Sequence, residues 1–233
     1  MIRKRCMPAL SISIDGPTAS GKSTLAVALA QRNGLAFLDT GLSYRSLAYA
    51  LHHTPGGIPR GELRHSLLHQ PLVYSRPGAE QPSEMHSILF RGRNITQDIW
   101  APELEGALKE ISGDPEWRRE ILSMHLGIME KYGNVVAVGR DVAATLLPGA
   151  AVHVYLTADL AIRRERRRAQ YRGAENRSTR VGPATVRDIE NRDMIRKLPT
   201  SMEIDSTYSP ASAVIAAVMH RVEKAQNNGR CRP

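Results

Sequence analysis

Five short apolar runs punctuate the chain: "ALSISI" (Ala9–Ile14), "LAFLD" (Leu35–Asp39), "VVAVG" (Val135–Gly139), "VHVYL" (Val152–Leu156) and "SMEID" (Ser201–Asp205). Each has the length of a buried strand and is bounded by polar or turn-forming residues. Between them the pattern becomes helical over Ser23–Gln31, Ser43–Leu51, Pro102–Tyr132, Leu160–Tyr171 and Ala184–Lys197. Ser209 as a cap and Pro210 in the first turn mark a last helix through "ASAVIAAVMHRVEKA". Strands alternating with helices predict an α/β fold with a mostly parallel sheet covered on both faces. Ligands of such folds sit at the carboxyl ends of the strands. Thr54 to Gln97 breaks the rhythm with "TPGGIPRG", "SRPGAEQP" and two strand-like pieces, "PLVYS" and "MHSILFRG", which read as a small β insertion. The tail "NNGRCRP" (227–233) reads as frayed and disordered.

A chain of 233 residues can bury one sizeable core with a small inserted subdomain. No apolar run approaches the roughly 20 residues of a membrane span. The basic start, "MIRKRCMPALSISID", is cut off by Asp15 and reads as a first strand rather than a signal peptide. Cys6 and Cys231 lie at opposite ends without metal-ligand spacing, which fits two free thiols and a cytoplasmic location. The 32 Lys and Arg against 23 Asp and Glu give a net charge of +9, which calls for an anionic partner. Six arginines crowd "RRERRRAQYR" (Arg163–Arg172), either a solvated helix face or, in part, a phosphate site. Aromatic and basic residues are not interleaved, so nucleic acid is not expected as a partner. No G-x-S-x-G supports acyl transfer.

One stretch carries specific chemistry. Gly16–Pro17–Thr18–Ala19–Ser20–Gly21–Lys22–Ser23 matches G-x-x-x-x-G-K-[ST], after a strand and opening a helix that continues with Thr24. The glycines let the backbone wrap closely around phosphate oxygens, and the helix adds its positive end. Lys22 can reach the outer phosphates, and Ser23 can place its hydroxyl on Mg²⁺. The bend therefore predicts a nucleoside triphosphate with Mg²⁺. No apolar run closing on an aspartate stands out as the acidic Mg²⁺ strand of a switch protein or motor; "VVAVGRD" ends in Arg140–Asp141. A kinase acting on an already phosphorylated acceptor needs no general base, only alignment and positive charge. Arginine supplies that charge in bidentate form.

Over about Ser11 to Tyr208 the chain resembles the cytidylate (CMP/dCMP) kinase family. The resemblance rests on "IDGPTASGKST", "LDTGLSYR", "ITQDI", "PEWRREIL", "VVAVGRD", "AIRRERRRAQ", "IENRD" and "IDST", in that order. It implies a three-layer P-loop nucleoside-monophosphate-kinase fold with a five-stranded parallel sheet. Its core would span 9–53 and 98–226, with an insertion at 54–97 beside the monophosphate site and a helical lid at about 160–197. It implies ATP with Mg²⁺ as donor, a small-molecule nucleoside monophosphate as acceptor, and a monomer. Thr40, Tyr44 and Arg45 resemble residues of the monophosphate pocket, although Tyr44 and Arg45 also suit an ordinary amphipathic first turn. Arg140 resembles a phosphate ligand. Asp141 resembles a base-reading residue, and a carboxylate accepts well from cytosine N4; it equally suits a helix cap. Arg118 resembles the arginine near cytosine, and Arg192 one reaching the acceptor from the second lid arm. Arg163, Arg166 and Arg167 resemble lid residues that bring charge to the transferring phosphate, with Arg164 and Arg168 solvated.

The acceptor side departs from the family pattern. Lys109 stands where a serine is expected, Trp100–Ala101 where "R-T" is common, and Arg196 and Pro199 where an Asp and an Arg usually follow "RD". Three readings stay open: a CMP or dCMP kinase, a kinase for a modified or different monophosphate or phosphonate, and a nucleotide-binding regulator without catalysis. If Lys109 and Arg196 face the acceptor, they predict one more anionic than CMP.

Overall fold

The computed structural model describes residues 10–54, 88–170 and 181–230. Most of the expected insertion, including "PLVYS", and the tip of the expected lid lie outside the described residues.

Five strands form one parallel sheet: β1 (Ser11–Asp15), β2 (Ala36–Asp39), β5 (Val135–Gly139), β6 (Val152–Thr157) and β7 (Ser201–Asp205), ordered β2-β5-β1-β6-β7. β1 is central and wholly buried. It pairs Ser11 through Asp15 with Val135 through Gly139 on one side, and Ile12 through Asp15 with Val152 through Tyr155 on the other. Three of its five residues, Ser11, Ser13 and Asp15, are nevertheless polar. Ser13 pairs with His153 across the β6 register, Oγ to Nδ1 at 2.8 Å, which satisfies both groups in a dry layer.

Apolar side chains on each face explain the helix layers. Ile12, Ile14, Val136 and Val154 pack against Leu25, Leu29, Val214 and Val218 from α1 (Lys22–Asn33) and the C-terminal helix. Leu38, Val135 and Ala137 meet Val142, Leu146 and Met129 on the other face. Truncating a fully buried member such as Leu29 to alanine would cost roughly 2–5 kcal/mol. A separate apolar cluster joins α2 (Thr40–His52) to Phe90, Ile95, Ile99, Leu104 and Ile121. Phe90 and Arg93 pair in a small antiparallel hairpin, β3 (Leu89–Phe90) and β4 (Arg93–Asn94), within the expected insertion.

The long helix expected over Pro102–Tyr132 is three pieces: a 3₁₀ turn at Pro102–Leu104, α3 (Glu105–Gly113) and α4 (Pro115–Tyr132). The break is local chemistry. Asp114 sits in extended backbone and accepts from the amides of Glu116 and Trp117, and Pro115 opens the next helix. A short α5 (Val142–Thr145) follows β5, and α6 (Leu160–Gln170) and α7 (Val186–Arg196) are the described arms of the expected lid. The last helix, α8 (Ala211–Arg230), runs into the stretch read as a frayed tail, and the Ser209 hydroxyl donates to Asp205 O. Among the described residues no helix is long and apolar enough to cross a membrane.

Because all five strands run the same way, their carboxyl ends share one edge. That edge gathers Asp15, Asp39, Arg140, Ala158 and Ser206.

Candidate active site

Gly16 leaves β1 with φ of 144°, and a Cβ there would lie 2.0 Å from the carbonyl oxygen of Leu156 on β6. The loop can pass so close to the sheet only without a side chain. Ala19 (φ 63°) and Gly21 (φ 99°) are also in positive φ, a succession that folds backbone amides toward one concave side. Within that curve Lys22 Nζ donates to Pro17 O at 2.8 Å. Burial of the ammonium pulls its pKa down to about 8, partly opposed by the charge of Asp39. The Ser20 hydroxyl is buried and has no partner among the described residues.

Ser23 Oγ donates to Asp39 Oδ2 at 3.2 Å, while Asp39 Oδ1 accepts from the Gly41 amide and caps α2. Sequence reasoning missed Asp39 by setting aside an acidic strand end. The signal was present: "LAFLD" is four apolar residues closing on an aspartate, and β2 delivers it to the loop hydroxyl. A hydroxyl beside a carboxylate is a hard-oxygen set of the kind Mg²⁺ takes.

Asp15, at the end of β1, accepts from the amides of Val142 (2.6 Å) and Ala143 (3.0 Å) and so caps α5 from outside its own segment. This overturns the alternative reading of Asp141 as a cap. Asp141 stands at the start of α5, but its side chain makes no capping bond. It is engaged instead by Arg118 Nη2 at 2.8 Å and by Arg187 of α7. Its neighbour Arg140 goes the other way, donating to the Thr18 hydroxyl of the loop at 3.0 Å and pairing with Asp188 at 3.8 Å. Adjacent residues of β5's end thus face the phosphate loop and a separate cavity.

That cavity, of about 260 Å³, is lined by Thr40, Tyr44, Arg118, His125, Asp141 and Thr145 among others. Its volume is slightly under the ~300–1,000 Å³ usual for small-molecule pockets, which suits a compartment for one part of a ligand. Thr40 donates to Val138 O at 2.9 Å, and burial raises the Tyr44 hydroxyl's pKa. His125, buried against Ser43 (Nε2 to Oγ, 2.8 Å), is pulled down to about 4 by burial and is neutral at pH 7.

His125 and Asp15 shape acid stability in opposite senses. Asp15, raised by burial to about 6 from 3.8, keeps its proton when folded over a range where the unfolded chain has lost it, so its contribution falls as pH rises through 3.8 to 6. His125 is neutral when folded from about 4 to 6.5, where the unfolded chain is protonated, so its contribution is lost as pH falls. His125→Gln is expected to reduce the loss of unfolding free energy between pH 7 and 4.5 by on the order of 3 kcal/mol. Urea titrations at the two pH values measure this, and an unchanged acid limb would contradict it.

The other expected site residues are spread around these two centres. Arg45 donates to Ile99 O and Glu105, both at 3.3 Å, and lies 4.5 Å from the Trp100 ring centroid. Arg167, from α6, lies 5.4 Å from the same ring. Two like charges share one aromatic ring, whose quadrupole favours each. The buried face of α6 is made of Arg163 and Arg167, one helical turn apart, not of apolar residues. Arg163 donates to carbonyls of Ala158 (3.0 Å), Thr18 (3.3 Å) and Gly182 (3.3 Å), so it ties α6 to the loop and to the segment that leads into α7. Arg166 grips Ser206, whose hydroxyl reaches Ser20 O. Arg164 and Arg168 are exposed. Arg192 and Arg196 both bind Glu203 on β7. Lys109 is exposed on α3 and does not line the cavity.

A strand, a glycine-containing loop with lysine, a helix, and arginines from α6 and α7 at the carboxyl edge of a parallel sheet define a P-loop kinase. The cytidylate kinase family model matches residues 12–224. The cytidylate kinase of Chloroflexus aggregans is 36% identical over 163 residues, covering 70% of each chain. That of Roseiflexus castenholzii is 31% identical over 206 residues, covering 88% of this chain and 85% of the relative. The chain belongs to the cytidylate kinase family, and is an enzyme that phosphorylates a nucleoside monophosphate from a nucleotide donor. Among solved structures, a shikimate kinase from Aquifex aeolicus aligns over 92% of this chain and 96% of its own at 14% identity and a TM-score of 0.47. At that score it does not bear on the site.

Proposed function

We propose that the chain transfers the γ-phosphoryl group of ATP to CMP or dCMP, giving ADP and the diphosphate. The observation that supports this reading is the divergence of Arg140 and Asp141, one toward the loop and the other in the cavity, which would set a donor and an acceptor compartment side by side.

The loop amides and Lys22 would hold the donor phosphates. Arg140 stands between the compartments, where the attacking acceptor phosphate and the transferred group meet. That phosphate is already anionic at pH 7, so no side chain need take a proton from it. Ser23 and Asp39 would hold Mg²⁺, which supplies charge neutralisation on the donor phosphates. Arg163, Arg166 and Arg167 on α6 would bring further charge as the proposed lid, about 160–197, closes and excludes water. Arg45 follows the cavity residue Tyr44 on α2 but does not itself line the cavity, and would have to leave Ile99 O and Glu105 to hold the acceptor phosphate. Arg192 would have to leave Glu203 to reach the acceptor.

Asp141, Arg118 and Tyr44 would read the base, the carboxylate accepting from cytosine N4. Lys109 and Arg196 lie outside the cavity lining, so the case for a more anionic acceptor loses its two residues.

ADP release measured against CMP, dCMP, UMP, AMP, GMP and phosphonates tests the reading. Turnover confined to CMP and dCMP is expected. Turnover with another acceptor alone would replace the substrate, and tight Mg-ATP binding with no turnover would make the chain a regulator.

A further inference from the structure

The second lid arm reaches the acceptor cavity through a residue that the family resemblance does not assign. Arg187 is in the first turn of α7, and its guanidinium donates to Asp141 Oδ2, the same oxygen that takes Arg118 Nη2. Its charge also acts on the Tyr44 hydroxyl, against the effect of burial there. Asp141, Arg118 and Tyr44 all line the cavity. Three segments far apart in the chain, α2, α4 and the end of β5, are therefore joined at one point by a residue of the arm. The C-terminal end of the same arm is committed elsewhere, because Arg192 and Arg196 both bind Glu203.

We propose that Arg187 is a specificity-determining residue of the acceptor site, through which the lid arm takes part in reading the base. This rests on the functional reading above. Two guanidiniums on Oδ2 saturate that oxygen. Among the described residues, Asp141 Oδ1 accepts no hydrogen bond and is the acceptor the carboxylate has left. The cluster then offers one acceptor flanked by guanidinium donors. An amino group next to a ring-nitrogen acceptor, as on cytosine, meets that pattern with both partners. A keto group next to a ring N–H, as on uracil, sets acceptor against the carboxylate and donor against the guanidinium and leaves those half-buried groups unpaired, which is how polar sites reject near-isosteres. Since Arg187 travels with α7, the pattern is complete only when the arm is in place, so base identity and closure are coupled.

The test compares Arg187→Gln and Arg187→Lys with wild type, using CMP and UMP as acceptors. Arg187→Gln is expected to raise KM for CMP about tenfold or more, to reduce the CMP-to-UMP ratio of kcat/KM by a similar factor, and to leave KM for ATP within about twofold. Arg187→Lys, which keeps the charge but not the fork, should fall between. CMP alone should increase amide protection across Val186–Arg196 in wild type and not in Arg187→Gln. An unchanged CMP-to-UMP ratio, or equal losses for CMP and ATP, would overturn the assignment. Should Arg187→Gln lower the melting temperature by more than a few degrees, the ratio in Arg187→Lys decides. A wild-type enzyme that ignores both CMP and UMP would sink the functional reading itself, whereas wild-type selectivity that both variants retain would sink only the role of Arg187.

Discussion

Gly16→Ala is expected to lose nucleotide binding and to destabilise the fold by on the order of 3–5 kcal/mol. Two costs combine. At φ of 144° an L-residue is strained, which costs ~1–3 kcal/mol. The new Cβ would also sit 2.0 Å from Leu156 O, where no real Cβ is found. That atom is strand backbone, paired through β6 into the centre of the sheet, so it cannot swing aside as a side-chain tip would. Overpacking of this kind typically costs ~1–3 kcal/mol. The loop would have to lift off the sheet edge, taking the amides away from the phosphates. Chemical denaturation gives the stability, and titration with a fluorescent ATP analogue gives the binding. A variant with wild-type melting and affinity would show that the close approach at Leu156 is dispensable.

Lys22→Met is expected to separate activity from stability. Loss of the charge nearest the outer phosphates should lower kcat by ~10²–10³. Stability should stay level or rise slightly, because burial already disfavours the ammonium and an apolar chain of similar length removes that cost. The same depressed pKa gives a second signature. With the free enzyme's Lys22 at about 8, binding of a triphosphate favours the charged form and draws in a proton, so wild-type affinity for ATP should weaken as pH rises past 8. Lys22→Arg stays charged throughout and should lack that decline. Calorimetry at pH 7 and 9 measures both. A wild-type affinity flat across that range would rule out a depressed lysine in the loop.

Much of the architecture was legible in the chain. The strand runs, the alternation with helices and the G-x-x-x-x-G-K-S bend are local patterns, and each depends on contacts a few residues apart. "GPTASGKS" therefore located the phosphate loop, and the ordered motifs located the family. The errors were also local in origin. The Pro102–Tyr132 helix was read through Asp114–Pro115, although an Asp–Pro pair inside a helical pattern is a stop and restart. Asp39 was passed over although "LAFLD" displayed it.

What the chain by itself determined is the set of parts: five strand cores, a loop whose glycines permit a tight cradle, a lysine and a hydroxyl at its end, and a surplus of arginine. Which arginine faces what was decided only by tertiary structure. Arg187 is 46 residues from Asp141 along the chain and nothing in its surroundings marks it, yet α7 brings the two together. Arg163 and Arg167 lie in what looks like a solvated basic run, and packing buries both. Lys109 and Arg196, the cations the sequence set beside the acceptor, end on an exposed helix face and on Glu203. The reason is physical. Apolar periodicity and turn chemistry act over one or two helical turns, whereas the partner of a long charged side chain depends on which backbone segments the fold places within its reach.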